Sequence, residues 1–167
     1  SLLLYPGYAW ERGDQRYYLA PINQAIEPEL YPRDFLMGAS QTEATVFDEL
    51  VALLAFGERE NIPAALFWLT FLARMAFFLG VSLLVYAFTQ NLAFALLLPA
   101  VFLIGHQGFV STAMPVRDWL YSLSLELHPR ALATPLAILA FGLLLHARHA
   151  GMWLALTAGF LIHPITL

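Results

Sequence analysis

Residues 62–89 read IPAALFWLTFLARMAFFLGVSLLVYAFT, an apolar run broken by a single charge. One helix needs about 20 consecutive apolar residues to cross a bilayer core, and this run is longer. The charge, Arg74, lies near the middle of the run, where an arginine costs roughly 2.5–3.5 kcal/mol on insertion scales. The run therefore predicts a transmembrane helix from Ile62 to Thr89, with Arg74 facing protein or water rather than lipid.

Three further apolar runs follow this first one. Leu92 to Ile104, kinked at Pro99, reaches full bilayer thickness only if it continues to Val110. Ala131 to Leu145 is shorter, about 22 Å by the helical rise per residue, and Met152 to Leu167 is the last. A tight polar turn at 89–91 separates the first run from the second, and another at 146–150 separates the third from the fourth. The pattern predicts an all-α integral membrane protein with about four transmembrane helices over residues 61–167.

The composition supports the membrane class. Of the 167 residues, 60% are apolar and only 12% are charged, whereas a soluble domain is roughly 45–50% apolar and about 25% charged. The chain has no cysteine, which excludes disulfides and thiolate chemistry. It shows no basic patch, so nucleic-acid binding has no electrostatic basis, and membrane lipids are the expected surroundings.

Residues 1–60 form a separate, polar region. They hold ten of the twelve acids, against four arginines. Helical spacing is visible from Asp14 to Ile26, where Pro21 should bend or divide the helix. A second helix is predicted from Thr42 to Phe56, with Thr42 as N-cap and an amphipathic pattern suited to the membrane surface; its apolar positions are Val46, Phe47, Leu50, Leu53 and Leu54.

Loop charge predicts the orientation. The acidic region 1–60 and the turn carrying Arg148 should lie on opposite sides of the membrane, with residues 1–60 extracytoplasmic. Counting spans alternately then places the few ionisable side chains of distant segments on that same outer face: Asp14, Asp34, Asp118, Glu126, His128, Arg130 and His163. A short amphipathic helix is expected at 118–127 within the second outer loop.

The ends of the chain suggest a piece of a longer protein. Ser1 lies inside a short apolar run, and Leu167 lies inside another. We therefore expect a fragment of a larger multi-span protein. The alternative is a complete small protein.

Two aspartates are candidate catalytic groups. Asp14 could act as a general base that takes a proton from an acceptor hydroxyl, or it could be a helix N-terminal acid stabilised by the helix dipole. Asp34 could be a second acid or a metal ligand, or simply a turn aspartate after Pro32. Glu11 is a weaker alternative for either role. No zinc motif, P-loop, dinucleotide fingerprint or serine elbow is present.

The cationic candidates follow two of the later loops. Leu127-His128-Pro129-Arg130 and Ile162-His163-Pro164 are separated by two spans and should return to one face. Arg130 could bind a phosphate through its guanidinium fork, or it could be an interfacial arginine at a helix start. His163 could serve the site or be hydrogen-bonded to nearby backbone. Arg74 is expected to be paired inside the helical bundle.

The segment Gly13-Asp14-Gln15-Arg16-Tyr17 resembles the Asp-Glu-x-Arg-Tyr-type segment of the C-type membrane glycosyltransferases, which include protein mannosyltransferases and aminoarabinose transferases. Here Gln15 replaces the second acid, and the spacing to Arg-Tyr is one residue shorter. The loop through residues 28–35 and the spans that start at 129 and end at 164 also resemble uncharacterised bacterial members of that superfamily.

The resemblance implies an inverting transfer of a sugar from a polyprenyl-phosphate donor, at the outer face of a bacterial inner (plasma) membrane. Asp14 and Asp34 would be the catalytic residues, and Arg16, His128, Arg130 and His163 would bind the lipid-linked donor. Some members use a divalent metal and others do not, so the cofactor stays open. The alternatives are a fragment of a transporter, in which Arg74 and the acids line a pathway, and a membrane-anchored structural subunit.

Overall fold

The computed structural model describes residues 15–30, 45–110 and 127–164, and these residues are all-helical in their regular structure. They form α1 (Gln15–Ile26), α2 (Phe47–Leu54), α3 (Ile62–Thr89), α4 (Leu92–Val110), α5 (Pro129–Leu145) and α6 (His149–Ile162), with a 3₁₀ turn at Arg59–Asn61 ahead of α3. The predicted all-α class is confirmed. The predicted helix at 118–127 falls almost entirely outside the described residues.

The long apolar helices begin and end close to where the sequence predicts. α3 spans Ile62–Thr89, and α4 continues through Pro99 to Val110, as full length requires. α5 begins two residues early, at Pro129, because proline suits the first helical position. α6 begins at His149, three residues before the predicted run, and ends at Ile162.

In the N-terminal region one predicted helix is present and the start of the other is wrong. The helix predicted from Asp14 to Ile26 is present as α1, Gln15–Ile26, and Pro21 lies inside it without dividing it. Thr42 does not cap α2, because the helix begins only at Phe47. The late start has a tertiary cause: the Val46 N–H donates to the Leu161 carbonyl at the end of α6. Residues 45 and 46 therefore join another helix instead of extending α2.

α3 and α5 run parallel and approach each other closely. A Cβ added to Gly80 would lie 2.7 Å from the Leu139 backbone nitrogen. A Cβ added to Gly142 would lie 2.8 Å from the Leu83 Cβ and 3.0 Å from the Gly80 carbonyl oxygen. Each helix thus presents a glycine where the other passes, the small-residue packing by which apolar helices approach closely.

One end of the bundle is closed by two turns. In the α3–α4 turn, Gln90 adopts a left-handed conformation with φ of 51°. In the α5–α6 turn, the His146 Nε2 lies 3.0 Å from the Leu83 carbonyl. A carbonyl only accepts, so Nε2 carries the hydrogen. The His146 ring also stacks on Tyr86, with ring centroids 6.0 Å apart.

The opposite end gathers the remaining segments around one core cluster. α1 contributes Ile22, α2 contributes Phe47 and Val51, and the first half of α3 adds residues from Ile62 to Ala73. The start of α5 and the end of α6 complete it, with Leu127, Ala131, Leu132, Ala133 and Ile162. The described part of the N-terminal region therefore shares one end of the bundle with residues 127–133 and 162.

The outward surface of the long helices is apolar. Trp68 is 59% exposed, Phe88 80% and Leu154 73%, while each of α3, α5 and α6 has alanine and glycine among its buried residues. Within the described residues, one helical stretch, Arg59–Thr89, is long and apolar enough to cross a bilayer by length and composition. α5 and α6 are shorter apolar helices. The four-span arrangement thus stays a prediction.

We expect Gly80→Ala to destabilise the fold by about 1–3 kcal/mol, because its methyl group would overlap backbone atoms of α5 that have no room to move. Gly151→Ala is the matched control, since a Cβ there meets only the flexible Leu143 side chain. Unfolding of the detergent-solubilised chain in increasing SDS, followed by helical circular dichroism, measures both. Equal midpoints for the two variants would contradict the close α3–α5 contact.

Candidate functional site

The candidate residues divide into those the structure describes and those it does not. Asp14 and Asp34 lie outside the described residues. Arg16 lies in the first turn of α1, and its side chain is likewise outside them. His128, Arg130 and His163 are described, and all three lie at the end of the bundle that holds α1 and α2.

His128 caps α5. Its backbone is extended, with φ of −139° and ψ of 166°, and its side chain is 6% exposed. The Ala131 N–H donates to the His128 Nδ1 at 3.3 Å, which satisfies one of the open backbone donors of the first turn. Nδ1 is therefore an acceptor, and the hydrogen of a neutral ring is on Nε2. The cap fixes where α5 begins, and so where Arg130 lies.

Arg130 and His163 are brought together from two different helices. Arg130 is an exposed residue in the first turn of α5, and His163 follows the last residue of α6, half-buried. Burial lowers the pKa of His163, and the positive charge of Arg130 lowers it further. The His163 backbone N–H donates to the Gly159 carbonyl at 2.9 Å, which holds the residue against the helix end. The expectation that these two segments return to one end of the bundle is met.

The pair has a definite chemical character. Because its pKa is lowered, His163 is protonated less readily than an ordinary histidine, and a neutral ring can accept a hydrogen bond. The guanidinium beside it stays charged and matches the oxygens of a phosphate or carboxylate. An exposed guanidinium at this place can bind an anionic group.

α2 turns a different face to the protein than its pattern predicts. The buried residues are Phe47, Asp48, Val51 and Ala52. Of the predicted apolar positions, Leu53 is 72% and Leu54 41% exposed. The helix is rotated because its N-terminal end is held by the bond to Leu161, and Phe47 packs edge-on against Tyr18 of α1 at 5.9 Å.

This rotation buries Asp48, a residue that the sequence indicates only as a surface acid. Its side chain is 4% exposed, and its Oδ1 has no hydrogen-bond partner among the described residues. Burial raises the pKa of Asp48 to about 7, with a smaller contribution from the charge of Glu49. The amphipathic pattern of α2 gives no signal for this burial, because it assigns Asp48 to the polar face.

No protein-family model, curated protein or solved structure matches this chain. The resemblance to C-type glycosyltransferases therefore rests on the quoted segments alone.

The described residues contain no group of three or more histidine or acidic side chains able to hold a metal ion. The ion pair of Arg59 with Glu27, at 3.9 Å, is about half exposed on both sides and contributes little. Arg74 is 6% exposed and faces protein, as expected for an arginine inside an apolar helix.

We expect Arg130→Gln to raise the pKa of His163, since the substitution removes a positive charge that disfavours the protonated ring. A histidine-detected NMR titration in detergent micelles measures the effect, with the His163 signal assigned through its loss in His163→Gln. Arg148→Gln is the matched control, because Arg148 is an exposed arginine at the opposite end. An unchanged His163 pKa in Arg130→Gln would contradict the proximity of the two groups.

Proposed function

We propose that this chain is part of a membrane glycosyltransferase that takes a sugar from a polyprenyl-phosphate donor at the extracytoplasmic face. The observation that carries the proposal is that Arg130, at the start of α5, and His163, after the end of α6, lie at the bundle end that holds α1, where the charge of Arg130 lowers the pKa of His163. That pairing offers a phosphate contact beside a group able to accept a proton.

The membrane setting is supported by how side-chain sizes are distributed. Large apolar side chains such as Trp68, Leu72 and Leu154 point outward, and small residues such as Ala73 and Gly80 fill the helix contacts. A soluble protein rarely exposes a contiguous apolar surface of this kind, because water makes it costly. Lipid chains would cover it without penalty, and close contact between small residues would then hold the helices together.

The site would work as follows. Arg130 holds the phosphate of the donor, Arg16 and His163 complete the binding surface, and His128, predicted from the sequence as a further contact, acts by capping α5 and so positioning Arg130. Asp14 takes the proton from the acceptor hydroxyl as the sugar is transferred with inversion, and Asp34 supports it as a second acid. α1 begins at Gln15, directly after Asp14, and Ile22 anchors α1 in the core cluster next to α2. α1 thereby links the catalytic segment to the bundle end that carries Arg130.

The transporter alternative is less well supported. It requires polar groups that face a water-filled route near the middle of the membrane. Arg74, the charged residue within α3, is 6% exposed and lies against protein. A substrate pathway along α3 would leave that guanidinium accessible, so the described residues favour a site at the bundle end.

The proposed membrane arrangement predicts which residues can be labelled from outside the cell. The chain has no native cysteine, so Glu58→Cys and Arg148→Cys each give a single thiol at an exposed position, at opposite ends. In intact cells, a membrane-impermeant maleimide should label Glu58→Cys and reach Arg148→Cys only after permeabilisation. Labelling of both from one side would contradict the spanning arrangement.

The catalytic proposal predicts two distinct losses in the full-length protein reconstituted in liposomes with polyprenyl-phosphate sugars. Asp14→Asn should abolish sugar transfer while leaving membrane insertion intact. Arg130→Gln should raise the KM for the donor by about ten-fold to a hundred-fold, the effect of losing one charge-assisted contact.

Arg148→Gln serves as the control and should transfer sugar normally. Retained transfer in Asp14→Asn would remove that residue as the base. Absence of transfer from every polyprenyl-phosphate sugar by the wild-type protein would remove the enzymatic proposal itself.

A further inference from the structure

α2 is a short helix that docks on the bundle through a small set of contacts. Phe47, Val51 and Ala55 are 0% exposed and pack into the core cluster. The Val46 N–H donates to the Leu161 carbonyl at 3.0 Å. An eight-residue helix is too short to be stable in water by itself, so the conformation of α2 depends on this docking.

The same docked face carries the Asp48 carboxyl. An ionised carboxylate taken out of water without a compensating partner costs far more than a neutral one. The Oδ1 of Asp48 has no such partner among the described residues. A neutral Asp48 is therefore compatible with docking, and an ionised Asp48 opposes it.

The charged groups of the neighbouring elements do not relieve this cost. Arg59, ahead of α3, donates to Asn23 at the end of α1 and lies close to Glu27. Arg130 of α5 acts on His163 at the end of α6, His128 caps α5, and Arg74 lies twelve residues into α3. Among the described groups, only Glu49 acts on the charge of Asp48, and it repels it.

We propose that α2 is a proton-controlled docking helix, which stays on the bundle while Asp48 is protonated and is released when Asp48 ionises. Release withdraws Phe47 and Val51 from the core cluster and breaks the bond between Val46 and Leu161. Leu161 lies two residues from His163, so the proton on Asp48 governs how the end of the bundle next to the Arg130–His163 pair is covered. The inference does not require glycosyl transfer.

The direction of the pH effect follows from linkage. The pKa of Asp48 is about 7 in the docked state, against an ordinary value of 3.8. Docking of α2 is therefore strongest below pH 3.8 and weakens as the pH rises from 3.8 to about 7. The ratio of released to docked α2 should rise by roughly ten-fold per pH unit over that interval and level off above it.

Hydrogen exchange of the full chain in detergent micelles tests the proposal. The amides of α2 are compared in wild type, Asp48→Asn and Asp48→Leu at pH 5, 6, 7 and 8. The protection of each amide is expressed as the ratio of variant to wild type, which cancels the intrinsic pH dependence of exchange. Glu60→Gln, which removes an exposed acid from the same region, is the matched control.

The expected result is a variant-to-wild-type ratio that rises from pH 5 to pH 7 for the α2 amides, in both Asp48 variants, while the Glu60→Gln ratio stays near one. A ratio independent of pH in both variants would overturn the proposal. An equal change across the amides of α3, α5 and α6 would also overturn it, because that would be unfolding of the bundle rather than release of α2.

Discussion

The close parallel contact between α3 and α5 is the constraint on which the rest of the bundle depends. With a backbone atom of α5 less than 3 Å from where a Gly80 side chain would begin, the two helices cannot slide or rotate freely past each other. Parallel neighbours need a return segment, and α4 supplies it. The start of α5 is then fixed beside the start of α3, and α6 brings its last residue back to the same end. This alignment of α3, α5 and α6 places the candidate residues at one end of the bundle: His128, Arg130 and His163.

Small residues take part in the contacts between the long helices. Ala65, Ala73, Gly80, Ala133 and Ala140 are buried at the helix contacts. Contacts between alanine and glycine residues bury little apolar surface per residue. Dispersion and complementary shape must therefore contribute more, and both fall steeply when a gap or an overlap opens. The larger side chains of the end cluster, Phe47 and Leu66 among them, lie where α2 joins the bundle, so conventional hydrophobic burial is concentrated at the end that carries the candidate site.

The sequence predicts the long helices well and the polar end poorly, for physical reasons. α3 and α4 are defined by uninterrupted apolar runs and by the Gln90–Asn91 turn between them, which are local signals. The start of α2 depends on a hydrogen bond from Val46 to Leu161, more than a hundred residues away, which no local pattern contains. The burial of Asp48 follows from that rotation, and an acid in an amphipathic pattern is ordinarily read as solvent-facing. The pairing of Arg130 with His163 was within reach, because the alternation of spans returns both to one side. The aspartates of the N-terminal region lie outside the described residues, so their placement rests on sequence alone.

Burial shifts the pKa values of Asp48 and His163 in opposite directions. Burial raises the pKa of the acid and lowers that of the base, so both groups move towards neutrality near pH 7. Arg130 is exposed beside His163, so its guanidinium is accessible from water. An entering phosphate would therefore be drawn to Arg130. By adding negative charge near His163 it would also raise the pKa of that histidine, so that anion binding and proton uptake at the bundle end reinforce each other.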